Sequence, residues 1–438
     1  MQQNKDMMNK NKKLNNGEKK FKIKEWIFPK IPWRTAALFL AVLGPGIITA
    51  NVDNDAGGIT TYSVAGAQFG YHFLFWILVV TISLVVVQEM CARMGAVTQK
   101  GLADLIREEF GIKTTFFVLF CLIIADIGNT MAEFSGVAWS GQVFGISKYI
   151  IVPIVAVFVW VLVLHWNYKS VERIFLIACS IYLVYLPSVF LAHPDWHKVW
   201  HYTFIPTFSL NKTYLLMFIG VIGTTIAPWM QFYIQSAVVE KGIGAEEYAY
   251  SRLDVIVGCI MTDVVAWFII VACGATLYIH HITITTGADA ALALKPLAGK
   301  YCTILFGIGL LNASVFSASI LPLATSYYVC EAFGFESGID KKFKQAPVFY
   351  TLYTLMICIG AGVVLIPHIN LEAILLLSQV TNGILLPFIL IYMLLLINNK
   401  KLMGKYINSQ LFNWIAWIST IIMIGLTLAL LITSIPGV

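Results

Sequence analysis

The stretch Asn51-Val52-Asp53-Asn54-Asp55-Ala56-Gly57-Gly58 decides the reading of this chain, because it places two aspartates and two asparagines inside an apolar segment near 36–58. An ionisable residue within the hydrocarbon costs at least ~2.5–3.5 kcal/mol on insertion scales, so each one requires a partner, a water-filled cavity or a function. Gly57 and Gly58 let the backbone leave the helix, and Gly44-Pro45-Gly46 interrupts the same segment earlier. Non-helical backbone at membrane depth is tolerated only where it is buried in protein or lines a cavity. The stretch therefore reads as the break of a discontinuous transmembrane helix. A second break, Gly223-Thr224-Thr225-Ile226-Ala227-Pro228-Trp229, lies in the apolar segment near 213–240.

The rest of the chain agrees with lipid as the main solvent. Its 438 residues are 59% hydrophobic and 12% charged, with a mean hydropathy of +0.80. Soluble domains run at roughly 45–50% apolar and about a quarter charged. This excludes an ordinary soluble enzyme and a disordered or collagen-like chain. The cysteines, Cys91, Cys121, Cys179, Cys259, Cys273, Cys302, Cys330 and Cys358, lie in or beside apolar runs without Cys-x-x-Cys spacing, and read as small buried hydrophobes.

Eleven stretches are long and apolar enough to span, near 36–58, 70–95, 114–143, 148–166, 171–192, 213–240, 250–280, 299–333, 346–368, 371–397 and 411–435. Residues 1–33, rich in Lys and Asn, read as a solvated cytoplasmic tail; a signal peptide is the weaker reading, since ten more spans follow the first. With the N-terminus inside, 24 of the 29 Lys and Arg residues fall in cytoplasmic segments, as expected of a multi-pass plasma-membrane protein. The net charge of +6 reflects that topology and contact with anionic lipid of the bilayer. Nucleic acid is not implied as a partner, and no oligomeric state follows.

Each break opens a set of five spans, and because five is odd the two sets are inverted relative to each other. The expected organisation is the tail 1–33, a first five-helix repeat 34–192, a second 193–397, and an eleventh helix in 398–438. Paired broken helices in corresponding positions point to a secondary transporter with its substrate near mid-membrane.

Asp55 carries the strongest case for a ligand, since a carboxylate, freed carbonyls and water form the hard-oxygen set of Mg²⁺, Ca²⁺ and Mn²⁺. A helix cap or a bundle salt bridge is the structural competitor. Val52, by its offset before Asp55, is a candidate carbonyl ligand, and Glu133, mid-span among small residues, a second acid. Asp53 and Asn54 read equally well as solvated vestibule residues or as groups that attract cations. Glu89 and Asp263 read as partners of Gln88 and Thr262, Asp126 is a further acid within a span, and Glu372 as an acid at a helix start. The tract His193, His197 and His201 reads as an interface segment. No phosphate loop, nucleophile elbow or zinc-protease motif supports an enzyme.

Gly44-Pro45-Gly46 followed by Asp55-Ala56-Gly57-Gly58 resembles the first helix of the NRAMP family of divalent-metal transporters, whose tetrad is Asp-Pro-Gly-Asn. The likeness continues through Gln88-Glu89-Met90-Cys91-Ala92-Arg93-Met94-Gly95, Gly101-Leu102-Ala103-Asp104-Leu105, Ala132-Glu133-Phe134 and Ser378-Gln379-Val380, and covers nearly all of residues 35–397. It implies an all-α integral membrane fold, the leucine-transporter-like inverted repeat of 5+5 helices plus an eleventh, with helices 1 and 6 broken.

The departures from the family pattern bear on metal choice and proton coupling. Where the family has Met-Pro-His, this chain has Ala227-Pro228-Trp229; the tetrad's Asn is Gly58, an Asp of the third helix is Thr130, and the ninth span lacks arginine. Losing a soft thioether removes discrimination against Mg²⁺, and Gly58 with Ala227 is expected to enlarge the site for a partly hydrated ion. The chain resembles the NRAMP-related magnesium transporter branch. The expectation is Mg²⁺ transport, with Mn²⁺ beside it, by alternating access without proton coupling or cofactor, at Asp55, Val52, Gly58, Glu133, Ala227, Trp229 and Gln379. The alternatives are a proton-coupled Mn²⁺/Fe²⁺ transporter of the parent type, an amino-acid transporter and a membrane metal sensor.

Overall fold

The computed structural model describes Gly46, Thr49 and residues 52–165, 185–295, 299–339 and 341–433. The basic tail, Gly44 and Pro45 of the first break, Cys179 and most of the expected fifth span lie outside the described residues. All described residues are helix, turn or loop. They belong to one compact unit, Val42–Val438.

The helices that build the bundle are α1 (Ala56–Phe69), α2 (Leu74–Thr98), α3 (Leu102–Val143), α4 (Lys148–His165), α5 (Trp196–Phe204), α6 (Lys212–Thr225), α7 (Pro228–Glu240), α8 (Tyr248–Cys273), α9 (Cys302–Phe333), α10 (Pro347–Val364), α11 (Leu371–Ile397) and α12 (Gln410–Thr433). Among the described residues eight helical segments are long and apolar enough to cross a membrane, with Lys148–Leu164 a shorter apolar helix beside them. Large apolar side chains such as Phe120, Ile154, Ile421 and Trp414 are exposed, as lipid-facing residues are.

The second break forms where the sequence places it, whereas the first, among the described residues, is confined to Asp53–Asp55: Gly57 and Gly58, expected to let the backbone leave the helix, are themselves helical in the first turn of α1. Val52 is helical, Asp53, Asn54 and Asp55 are turn and bend, and α1 starts at Ala56. In the second, α6 ends at Thr225 and α7 begins at Pro228, with Ala227 extended at φ −65°, ψ 139° between them. Pro228 suits the first helical position because the N–H it lacks has no partner there anyway. α3 is longer than expected because Gly111, at φ 80°, joins an earlier helix to the expected span. A Cβ there would meet nothing within 4 Å, so the glycine is needed for its backbone angle alone.

At the centre, α3 packs on α9 and α11, α6 on α11, and α8 on α1 and α2. Backbone meets backbone at two of these contacts. A Cβ on Gly223 of α6 would run into the Gln379 carbonyl and Gly383 of α11. One on Gly66 of α1 would stand 2.7 Å from the Ile270 carbonyl oxygen of α8. Such contacts fix one half of each broken helix against the bundle, as small residues do in lipid.

Candidate metal site at the two helix breaks

Asp55 is the N-cap of α1. Its Oδ1 accepts from the Gly58 N–H at 2.5 Å, while its carbonyl accepts from Ile59 N at 2.9 Å. The cap that competed with the ligand reading is therefore present, and a cap uses one carboxylate oxygen. Glu133 of α3 reaches the same helix start: its Oε2 accepts from Ala56 N at 3.3 Å, and its carboxyl faces that of Asp55. Two buried carboxylates thus converge on the electropositive N-terminus of one helix. A helix end accounts for one anionic group more readily than for two facing each other; a proton shared between the two carboxyls, or a cation between them, would offset the second charge.

The Gly58 position departs from the sequence expectation. A Cβ there would collide with the Asp53 carbonyl oxygen and stand 3.1 Å from Thr224 Oγ1. The volume that an Asn side chain would occupy is filled by the unwound backbone and by Thr224, so Gly58 does not enlarge the site. Thr224, in the second break but not among the expected site residues, is buried with its hydroxyl unpartnered. Its neighbour Thr225 joins the two breaks, with Oγ1 2.8 Å from the Tyr62 hydroxyl of α1.

The other predicted residues are placed as follows. Gln379 of α11 is buried against Gly57, where a Cβ would strike its amide. Ala227 stands in the second break, but its carbonyl accepts from Met230 N at 3.1 Å and, with the Gln231 amide correctly turned, from that side chain at 2.6 Å. That is the ordinary duty of an N-cap carbonyl. Trp229 is fully buried in the first turn of α7, its ring centroid 6.1 Å from that of Tyr233. Val52 is fully buried at the last helical position before the first break.

α3 carries a second buried acid besides Glu133. Two turns earlier on α3, Asp126 accepts from Thr325 Oγ1 at 2.9 Å and the Tyr328 hydroxyl at 3.0 Å. Asn129 donates to Asp126 at 3.4 Å and to Asn382 Oδ1 at 3.1 Å. Asn382 in turn donates to Gln379 Oε1 at 3.0 Å. A continuous polar chain thus runs from the start of α1 at Gly57 to a carboxylate held by α9. Its members come from three helices, which is why no single motif announced it.

The remaining acids divide. Glu89 pairs with Arg93 at 3.1 Å, not with Gln88, whose buried amide has no partner. Arg93 also donates to the Tyr406 carbonyl at 3.1 Å and to Asn408, tying α2 to the loop before α12. Glu372 lies in the first turn of α11, as the dipole reading expects. In the histidine tract, Asp195 caps α5 through His197 N at 3.1 Å, and the backbone amide of Lys198 leads the contacts that hold its carboxyl below the usual range. Among the described residues no three His, Cys, Asp or Glu side chains gather as a metal cluster.

The family model described as Natural resistance-associated macrophage protein-like, Nramp, matches residues 46–433. The chain belongs to the Nramp family. A curated relative from Granulibacter bethesdensis, the divalent metal cation transporter MntH, is 24% identical over 420 residues, covering 92% of this chain and 91% of the relative. The solved manganese transporter of Eremococcus coleocola is 23% identical with a TM-score of 0.72, over 92% of this chain and 88% of that one. The structure of MhsT with L-phenylalanine is 14% identical, with a TM-score of 0.55 over 89% of this chain and 97% of that one. These likenesses give an all-α membrane fold of the leucine-transporter-like class, and Nramp membership makes the chain a multi-pass membrane transporter and not an enzyme. The finer resemblance, to the magnesium branch, rests on Gly58 and Ala227-Pro228-Trp229 alone.

Proposed function

We propose that this Nramp protein carries a divalent metal ion, Mg²⁺ with Mn²⁺ beside it, across the plasma membrane by alternating access of its two five-helix repeats, with the N-terminus cytoplasmic. The observation that carries the reading is the donor set at the breaks. Asp55, Glu133, Thr224, Gln379 and the Asp53 carbonyl offer hard oxygen, while the position of the family's thioether is the methyl of Ala227. Hard oxygen without sulfur favours Mg²⁺ and Mn²⁺ over softer ions. Without the family's His and Asp, transport is driven by the metal gradient and the membrane potential, worth ~4.6 kcal/mol for a divalent ion at 100 mV.

A second reading, proton-coupled transport of Mn²⁺ in the parent manner, is favoured by the names of the relatives above and by the polar chain ending on Asp126. Mg²⁺ uptake into proteoliposomes holding a pH-sensitive dye separates the two. Uptake with a flat dye signal is expected; acidification that follows metal entry would assign the chain to the proton-coupled type.

A further inference from the structure

The carboxyl groups of Asp53 and Asp263 take no part in the site just described, to which Asp53 offers only its carbonyl, yet both residues are among the most buried acids of the described residues. They are 1% and 2% exposed; the Asp53 carboxylate has no hydrogen-bond partner, and Asp263 has at most the neighbouring Thr81 hydroxyl, with no basic group beside it. The two belong to elements that are pinned together. Asn54 donates through Nδ2 to Thr262 Oγ1 at 2.6 Å and to the Thr262 carbonyl at 3.3 Å. Consecutive residues of the unwound segment, Asp53 and Asn54, are thereby set against consecutive residues of α8, Thr262 and Asp263. With its amide nitrogen so fixed, Asn54 keeps its own Oδ1 buried and unpartnered.

The electrostatics of the group are one-sided. Asp53 lies within Coulomb range of both Asp263 and Asp55, and the Tyr62 hydroxyl senses all three. Asp263 also borders a cavity of about 390 Å³ between α2, α5 and α8, walled by Ile77, Thr81, Thr203 and Trp267. A buried carboxylate without a counter-charge costs several kcal/mol, and a second one beside it more. Two carboxylates and an amide oxygen are the hard donors that Mg²⁺ and Mn²⁺ accept, with water completing the shell.

We propose that Asp53, Asp263 and Asn54 Oδ1 form a second site for a hard divalent cation beside Asp55, so that the unwound segment holds two ions at once. The proposal rests on the reading of Asp55 as the first ion's ligand. Two like charges in adjacent sites repel, and arrival of the second ion then speeds release of the first, as in multi-ion pores.

Counting Mn²⁺ bound to the purified full-length protein by electron paramagnetic resonance tests it, using the isosteric variants Asp53→Asn, Asp263→Asn and Asp55→Asn. The wild type is expected to bind two ions, each single variant one, and Asp55→Asn/Asp263→Asn none. Asp53→Asn keeps the count meaningful should Asp263→Asn fold poorly, which thermal unfolding reports. An unchanged count in both Asp53→Asn and Asp263→Asn overturns the second site. If instead those variants lose one ion and Asp55→Asn loses none, the second site stands and the assignment of Asp55 fails.

Discussion

Asp55 has two duties, and a pair of substitutions separates them. As a cap it needs only an oxygen that accepts from Gly58 N, 2.5 Å away, and an Asn side chain offers one in the same place. As a ligand it needs the charge. Asp55→Asn keeps the cap and removes one of two facing acids, so it is expected to be at least as stable as the wild type in thermal unfolding without metal, whereas Asp55→Ala loses the cap, worth about 0.5–2 kcal/mol. The wider first turn supports a value inside that range: Ala56 N keeps Glu133 at 3.3 Å, so the donors that lose a partner are Gly58 N and, beside it, Gly57 N. For transport the two should fall together. Losing a group one shell out from a metal typically costs 10–100-fold, so losing the main carboxylate should lower Mg²⁺ uptake at least about 100-fold in both. Unfolding midpoints and initial uptake rates in proteoliposomes give the two readouts. If Asp55→Asn transports at the wild-type rate, Asp55 is a cap and nothing more.

Three further outcomes follow from the same contacts. Ala227→Met returns a thioether to the second break and should raise competition by Cd²⁺ against Mg²⁺ by tenfold or more, roughly 1.4 kcal/mol, read in the same vesicles. Gly223→Ala forces a methyl onto the backbone of Gln379 and Gly383; neither can yield like a flexible side chain, so about 1–3 kcal/mol of stability should be lost in thermal unfolding. Asp126→Asn turns a donor towards Thr325, Tyr328 or Asn129, which all donate to the native carboxylate. It should cost about 1–3 kcal/mol while leaving Mg²⁺ uptake within a few-fold, and a collapse of uptake would favour the proton-coupled reading.

The breaks were legible because glycine, proline and intramembrane carboxylates are each costly in a span, and their coincidence has few explanations. Helix boundaries were legible wherever hydropathy changed, and missed before Gly111, where the charged run from Asp104 to Lys113 is itself helical and a glycine at positive φ joins it to the span. The filled space at Gly58 could not be read from residue type, since the group that fills it is the backbone oxygen of Asp53, present at every position of every chain. Nor could the chain from Gln379 to Asp126, whose partners are far apart in sequence and meet only when α3, α9 and α11 pack. Glu89 illustrates the opposite case: Arg93, one helical turn on, was available as its partner, and the i, i+4 rule names that pair before the neighbouring Gln88.

The central claim is that a site of oxygen donors without sulfur selects hard ions. It is tested most directly by Mg²⁺ uptake into proteoliposomes in the presence of equal external Cd²⁺. The account predicts saturable Mg²⁺ entry that Mn²⁺ inhibits and Cd²⁺ leaves largely intact; rapid Cd²⁺ uptake that excludes Mg²⁺ would contradict it.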